Sequence, residues 1–208
     1  MYLYDTNKMT LKLIVEKLGR SKKKFITANE LKDYCRKLSI DYITTIKYLI
    51  RNKYVSRIFR GIFYVYSIEE RKLGKVDTDF YEILKEAFKL KGIFNWYFGL
   101  ETALKLNNLT HETFTTYFII NDKLFRAKPI IIMGRRVKFY KLSPKLLSFG
   151  IIKNNLIYSD PEKTALDLLY LKHYSLGEFD EISEKMLKTK IIKYAKNYPK
   201  RVLESTKI

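Results

Sequence analysis

The chain has 208 residues, enough for one medium domain or two small ones, and 47% of them are apolar, which supplies a core and excludes disorder on compositional grounds. Its 41 Lys and Arg against 22 Asp and Glu leave a net charge of +19, a surplus that favours a polyanionic partner over a merely lysine-rich proteome, where Glu rises together with Lys. One cysteine excludes an internal disulfide, one cysteine with two histidines gives no metal-ligand spacing, and no apolar run approaches the roughly 18 residues of a membrane-spanning helix.

The opening Met1-Tyr-Leu-Tyr-Asp5 turns polar at once, so no secretory signal is read and the expected location is the cytoplasm. A first helix is predicted over residues 6–18, with Met9, Leu11, Leu13, Ile14 and Leu18 on its apolar face. The following Arg20-Ser-Lys-Lys-Lys24 is either a solvated loop or a phosphate contact. A second helix opens at Phe25-Ile-Thr-Ala-Asn-Glu30, where Thr27 and Glu30 have capping-box spacing. Leu31, Tyr34, Cys35 and Leu38 then recur at helical spacing, and Cys35 reads as a buried structural thiol.

Ser39-Ile-Asp41 breaks the chain, and Asp41 is positioned to cap a third helix from Tyr42 to Asn52. Its inner face is assigned to Ile43, Ile46, Leu49 and Ile50. Its outer face is assigned to Tyr42, Thr44, Thr45, Lys47, Tyr48 and Arg51, which are either an ordinary solvent face or groups suited to phosphates and base edges in a major groove. Tyr54 to Tyr66 reads as strand, turn, strand, with Arg60-Gly61 at the tip and Arg57 and Arg60 exposed while Val55, Ile58, Ile62 and Phe63 pack. Helix, helix, helix and basic hairpin in this order predict a winged helix-turn-helix over residues 1–70 that binds double-stranded DNA. Residues 1–75 hold 18 basic and 7 acidic side chains, for +11, which fits a small DNA-binding head.

The polar run Ser67 to Asp77 reads as a linker, and a second domain is expected over residues 76–208. Its elements are a helix over Phe80–Lys91, a buried strand in Ile93–Phe98 and a short helix in Gly99–Leu106. Strands follow at Thr115–Ile120, Pro129–Met133 and Arg136–Tyr140, the last two joined through Gly134-Arg135. After a strand at Leu156–Tyr158 come a helix from Ser159 to Tyr170, capped by Ser159 or Asp160 with Pro161 in its first turn, another over Phe179–Tyr198 and a short tail. The chain as a whole is α+β in class. Residues 123–145 carry Lys123, Arg126, Lys128, Arg135, Arg136, Lys138, Lys141 and Lys145 with no acidic residue, a solvated sheet face or a candidate second nucleic-acid surface.

No enzyme pattern stands. Asp77-Thr-Asp79 has the spacing of a metal pair but lacks a phosphate loop and sits at a helix N-cap. Glu30-Leu-Lys32 and Glu70-Arg-Lys72 fall in a helix and the linker rather than on paired strands, as a nuclease would need. His111 and His173 have no nucleophile motif nearby, and Glu162 and Asp167 fit capping or pairing with lysine. No cofactor motif is present.

Four stretches resemble the AbiEi-type antitoxins of type IV toxin–antitoxin systems. In the head these are Phe25-Ile-Thr-Ala-Asn-Glu-Leu31 and Leu49 to Tyr64, with its Arg-Gly-x-Phe hairpin. In the body, Tyr97-Phe-Gly-Leu-Glu-Thr-Ala-Leu104 and Ile157-Tyr-Ser-Asp-Pro-Glu-Lys-Thr-Ala-Leu-Asp167 resemble that family's second domain. The resemblance covers roughly residues 20–175 and implies operator binding through the winged helix, repression of the chain's own operon, and a body that counters a nucleotidyltransferase-like toxin. Arg57 and Arg60 are the wing arginines it carries over. The alternatives are a stand-alone winged-helix regulator with a partner- or ligand-sensing body and, behind it, a nucleic-acid-processing enzyme.

Overall fold

A computed structural model describes residues 2–172, 177–178, 184 and 186–206, with side chains from residue 9 onward. His173 and the first half of the helix expected over Phe179–Tyr198 lie largely outside the described residues. The chain is α+β and divides into two compact units, Met1–Gly92 and Ile93–Ile208.

In the first unit, helix α1 (Tyr2–Arg20) precedes a short strand β1 (Phe25–Thr27), which the sequence reading merged with the following helix. Helix α2 (Ala28–Lys37) begins in the Thr27/Glu30 capping box, with the Thr27 hydroxyl 3.2 Å from the Glu30 amide and a Glu30 carboxylate oxygen 2.9 Å from the Thr27 amide. Helix α3 (Tyr42–Arg51) follows a turn in which Ser39 takes a left-handed conformation. Strands β2 (Val55–Phe59) and β3 (Ile62–Val65) form the expected hairpin, and β1 pairs with β3, giving an antiparallel sheet in the order β1-β3-β2. Ile14, Leu18, Ile26, Leu31, Cys35, Ile46, Leu49, Val55, Phe63 and Val65 make the core between α1–α3 and one sheet face. Burial pushes the Cys35 thiol up from its ordinary value, partly offset by a hydrogen bond with Thr45.

The stretch read as a linker is ordered structure. Ser67 and Glu70 form a second capping box at the start of α4 (Ile68–Leu73). The buried Glu70 carboxylate accepts from the Tyr64 hydroxyl at 2.6 Å and the Asp77 amide at 3.0 Å. Helix α5 (Phe80–Leu90), expected in the second domain, packs on β2 and β3 in the first unit, with the Phe59 and Phe88 rings 5.2 Å apart. Asp79 caps α5 by accepting from the Tyr81 amide at 2.7 Å.

The second unit is built on a mixed six-stranded sheet of β4 (Trp96–Phe98), β5 (Thr116–Asn121), β6 (Ile130–Ile132), β7 (Arg135–Lys141), β8 (Ile151–Lys153) and β9 (Ile157–Ser159), ordered β6-β7-β5-β4-β9-β8. The β6–β7 turn is Met133-Gly134, one residue earlier than expected, with both residues at positive φ as a two-residue hairpin of this hand requires. Helices α6 (Leu100–Leu106), α7 (Pro161–Leu171), α8 (Lys188–Ala195) and α9 (Lys200–Ser205) close over the sheet face that carries Tyr97 and Ile120.

Candidate nucleic-acid interface

Helix α3 is held by one polar cap and one apolar stripe. The Asp41 carboxylate accepts from the Thr44 amide at 2.6 Å, which holds it below the usual carboxylate range and sets a negative charge at the helix N-terminus. The inward positions are Tyr42, Thr45, Ile46 and Leu49, spaced i, i+3, i+4 and i+7.

Three of the outward assignments are thereby corrected. Thr45 is only 1% exposed, because its hydroxyl donates back to the Asp41 carbonyl at 2.7 Å and leaves the methyl in the core. Tyr42 is half-buried on that core, with the Lys32 ammonium 5.5 Å from its ring centre. Tyr48 is half-buried as well, stacked on Tyr54 at 5.9 Å, and Tyr54 in turn lies under the Arg71 guanidinium at 4.0 Å. Conversely, Ile43 and Ile50, assigned to the core, are 53% and 37% exposed. The surface of α3 is therefore an arc of roughly 120° carrying Ile50, Ile43, Lys47, Arg51 and Thr44, in that order around the helix.

Arg57 and Arg60 are both exposed, as expected. Arg57 stands opposite Phe63 across the β2–β3 ladder, its guanidinium 5.7 Å from that ring, so it projects from the sheet face on which α3 packs. Gly61, at φ 83°, turns the hairpin. The tip is tied down on both sides: the Gly61 carbonyl accepts from the Ala28 amide at 2.8 Å and the Arg60 carbonyl from the Lys91 ammonium at 3.2 Å. Lys53, at positive φ in the turn between α3 and β2, adds an exposed cation beside α3 that the sequence reading did not single out.

Neither a family model nor a curated protein matches the sequence. The chain is similar in fold to a crystal structure of the RV2827C protein from Mycobacterium tuberculosis, with a TM-score of 0.57 and 11% identity over 96% of this chain and 78% of that one. A likeness at that identity speaks for the fold alone.

In the second unit the basic stretch does not form one patch. Register places Arg136 and Lys138 on the sheet face of Phe118 and Tyr140, and Arg135 and Lys141 on the opposite face with Val137 and Phe139. Lys138 is half-buried and donates to the carbonyls of Arg126 and Ala127 at 2.7 and 2.6 Å, closing a loop. Arg135 donates to the Tyr117 hydroxyl at 2.6 Å. Lys123, Arg126, Lys128, Arg136, Lys141 and Lys145 lie at the surface.

The two body motifs converge in the core. Asp167 accepts from the Tyr97 hydroxyl at 2.8 Å and the Tyr198 hydroxyl at 2.6 Å, and pairs with Lys163 at 3.3 Å. Both members of that pair are fully buried, and Phe149 lies 4.7 Å from the Lys163 ammonium. Burial draws the Lys163 ammonium below the ordinary lysine value, against the pull of Asp167. Asp160 and Glu162 are bridged by Lys190 at 2.9 and 2.8 Å, and Glu101 pairs with Lys172 at 2.9 Å. A Cβ at Gly99 would come within 2.5 Å of the buried Ile120 side chain, which explains the glycine in that motif. These residues hold the unit together rather than present a surface. Among the described residues, no cluster of three His, Cys, Asp or Glu is placed to hold a metal ion, and no helix is long and apolar enough to cross a membrane.

Proposed function

We propose that residues Met1–Gly92 are a winged helix-turn-helix that binds double-stranded DNA, with α3 in the major groove and the β2–β3 hairpin as the wing. The observation that carries this reading is that the exposed arc of α3 and the Arg57 side chain project from one side of the sheet. The order helix, strand, helix, helix, strand, strand, the sheet order β1-β3-β2 and the short turn between α2 and α3 support it. The wing reaches phosphates through Arg57 and Arg60, and α3 reads base edges through Lys47, Arg51 and Thr44.

The purpose we assign is autorepression by an antitoxin of the AbiEi type, acting in the cytoplasm by binding rather than by catalysis and without a cofactor. The second unit would counter a nucleotidyltransferase-like toxin. Support for that half is the pair of motifs around Gly99–Glu101 and Glu162–Asp167. Both motifs are buried, so any toxin contact falls on other residues.

The test of the wing is a salt titration. The Arg57→Ala, Arg60→Ala double variant is expected to bind DNA more weakly and to flatten the slope of log affinity against log salt by about 1.8, corresponding to two phosphate contacts. An unchanged slope and affinity would remove the hairpin from the interface. Co-expression with a nucleotidyltransferase-like toxin encoded beside the chain tests the second half, with restored growth as the expected result.

A further inference from the structure

Two isoleucines stand on the outer arc of α3. Ile43 and Ile50 expose apolar surface beside Thr44, Lys47 and Arg51, although the helix fills its core stripe without them. They are seven residues apart, so they lie on one line along the helix about 10 Å from each other. That separation matches about three base-pair steps of duplex DNA.

A major groove offers one apolar group, the 5-methyl of thymine, and an aliphatic side chain that meets it removes both from water. We propose that Ile43 and Ile50 are specificity residues that each contact a thymine methyl, so that the target half-site carries two thymines about three base pairs apart. This rests on the DNA-binding reading and adds to it a class of sequence: thymine-bearing positions beside those read by Lys47 and Arg51. Exposure on one arc with the cations distinguishes these side chains from Ile46 and Leu49, which belong to the core.

Uracil differs from thymine only by that methyl, so it isolates the contact. The full chain is used to select duplexes from a randomised pool, and affinity is then measured for the best duplex and for versions in which one thymine at a time is replaced by deoxyuridine. Two positions are expected to lose roughly fourfold each, the value of one buried methyl. The penalty at one of them disappears in Ile43→Ala and at the other in Ile50→Ala, because the groove-facing methyls are then already absent. Ile43 is 53% and Ile50 37% exposed, so Ile43→Ala should melt like the parent and Ile50→Ala slightly lower, and unchanged affinity of each variant for its own deoxyuridine duplex relative to the thymine duplex separates a lost contact from a lost fold. If every deoxyuridine duplex binds as tightly as its parent, or the penalties persist unchanged in both variants, the assignment is overturned while DNA binding stands. If the chain retains duplex DNA but enriches no sequence, this assignment is overturned while DNA binding stands, and if it retains no duplex at all, the DNA-binding reading itself fails and takes this one with it.

Discussion

Thr45 and Asp167 show how little the polarity of a residue says about where it lies. Thr45 reads as an outward residue by type, yet returning its hydroxyl to the Asp41 carbonyl makes its remaining surface a methyl group that suits the core. Asp167 is fully buried because two tyrosine hydroxyls and one ammonium surround it. Removing one partner of such a pair leaves a charge in a medium that solvates it poorly. Asp167→Asn, which strands Lys163, is expected to destabilise the protein by about 3–5 kcal/mol in urea unfolding. Lys163→Met should cost less, since the carboxylate keeps both hydroxyl donors. Equal costs for the two substitutions, or a loss below about 1 kcal/mol for Asp167→Asn, would mean that the pair is not what holds α7 to the sheet.

At the scale of elements, local signals with a stereochemical cause were legible and signals that depend on distant partners were not. The capping box at Thr27, the Asp41 cap, the Gly61 turn and the Pro161 helix start each act within a few residues, and each appears where the sequence places it. The rotation of α3 differs from the one its hydrophobicity predicts, because Ile43 and Ile50 outweigh Tyr42 and Thr45 in hydrophobicity, whereas the i, i+3, i+4, i+7 stripe decides the face. Strand β1 is three residues long, and only its pairing with β3 makes it a strand. Helix α4 was hidden in a polar run because its key residue, Glu70, is charged but buried under Tyr64. Ser67→Ala should cost about 1 kcal/mol by removing a cap. Glu70→Ala should cost about 3 kcal/mol by leaving the Ser67 and Asp77 amides without their acceptor and the Tyr64 hydroxyl with Thr78 alone. Thermal unfolding measures both, and equal small losses would restore Ser67–Asp77 to the status of a linker.

For the whole molecule, the +19 charge pointed to a polyanion but said nothing of where it would bind. The placement of the cations is more informative. Several of those in the second unit lie on opposite sheet faces or are engaged by carbonyls and Tyr117, whereas those of α3 share one exposed arc of that helix. The candidate site was thus half legible: Thr44, Lys47, Arg51, Arg57 and Arg60 are exposed as the sequence predicts, while Tyr42, Thr45 and Tyr48 are wholly or partly buried and Ile43 and Ile50 stand at the surface. The central claim is that this arc reads sequence. It is tested most directly by comparing binding of the full chain to a duplex from the region upstream of its own gene and to a shuffled duplex of equal length, at one fixed salt concentration. The account predicts a preference of about a thousandfold or more for the upstream duplex, reduced roughly tenfold in Lys47→Ala or Arg51→Ala with little change on the shuffled one. Equal affinity for both duplexes, or the same loss on both in the variants, would contradict it.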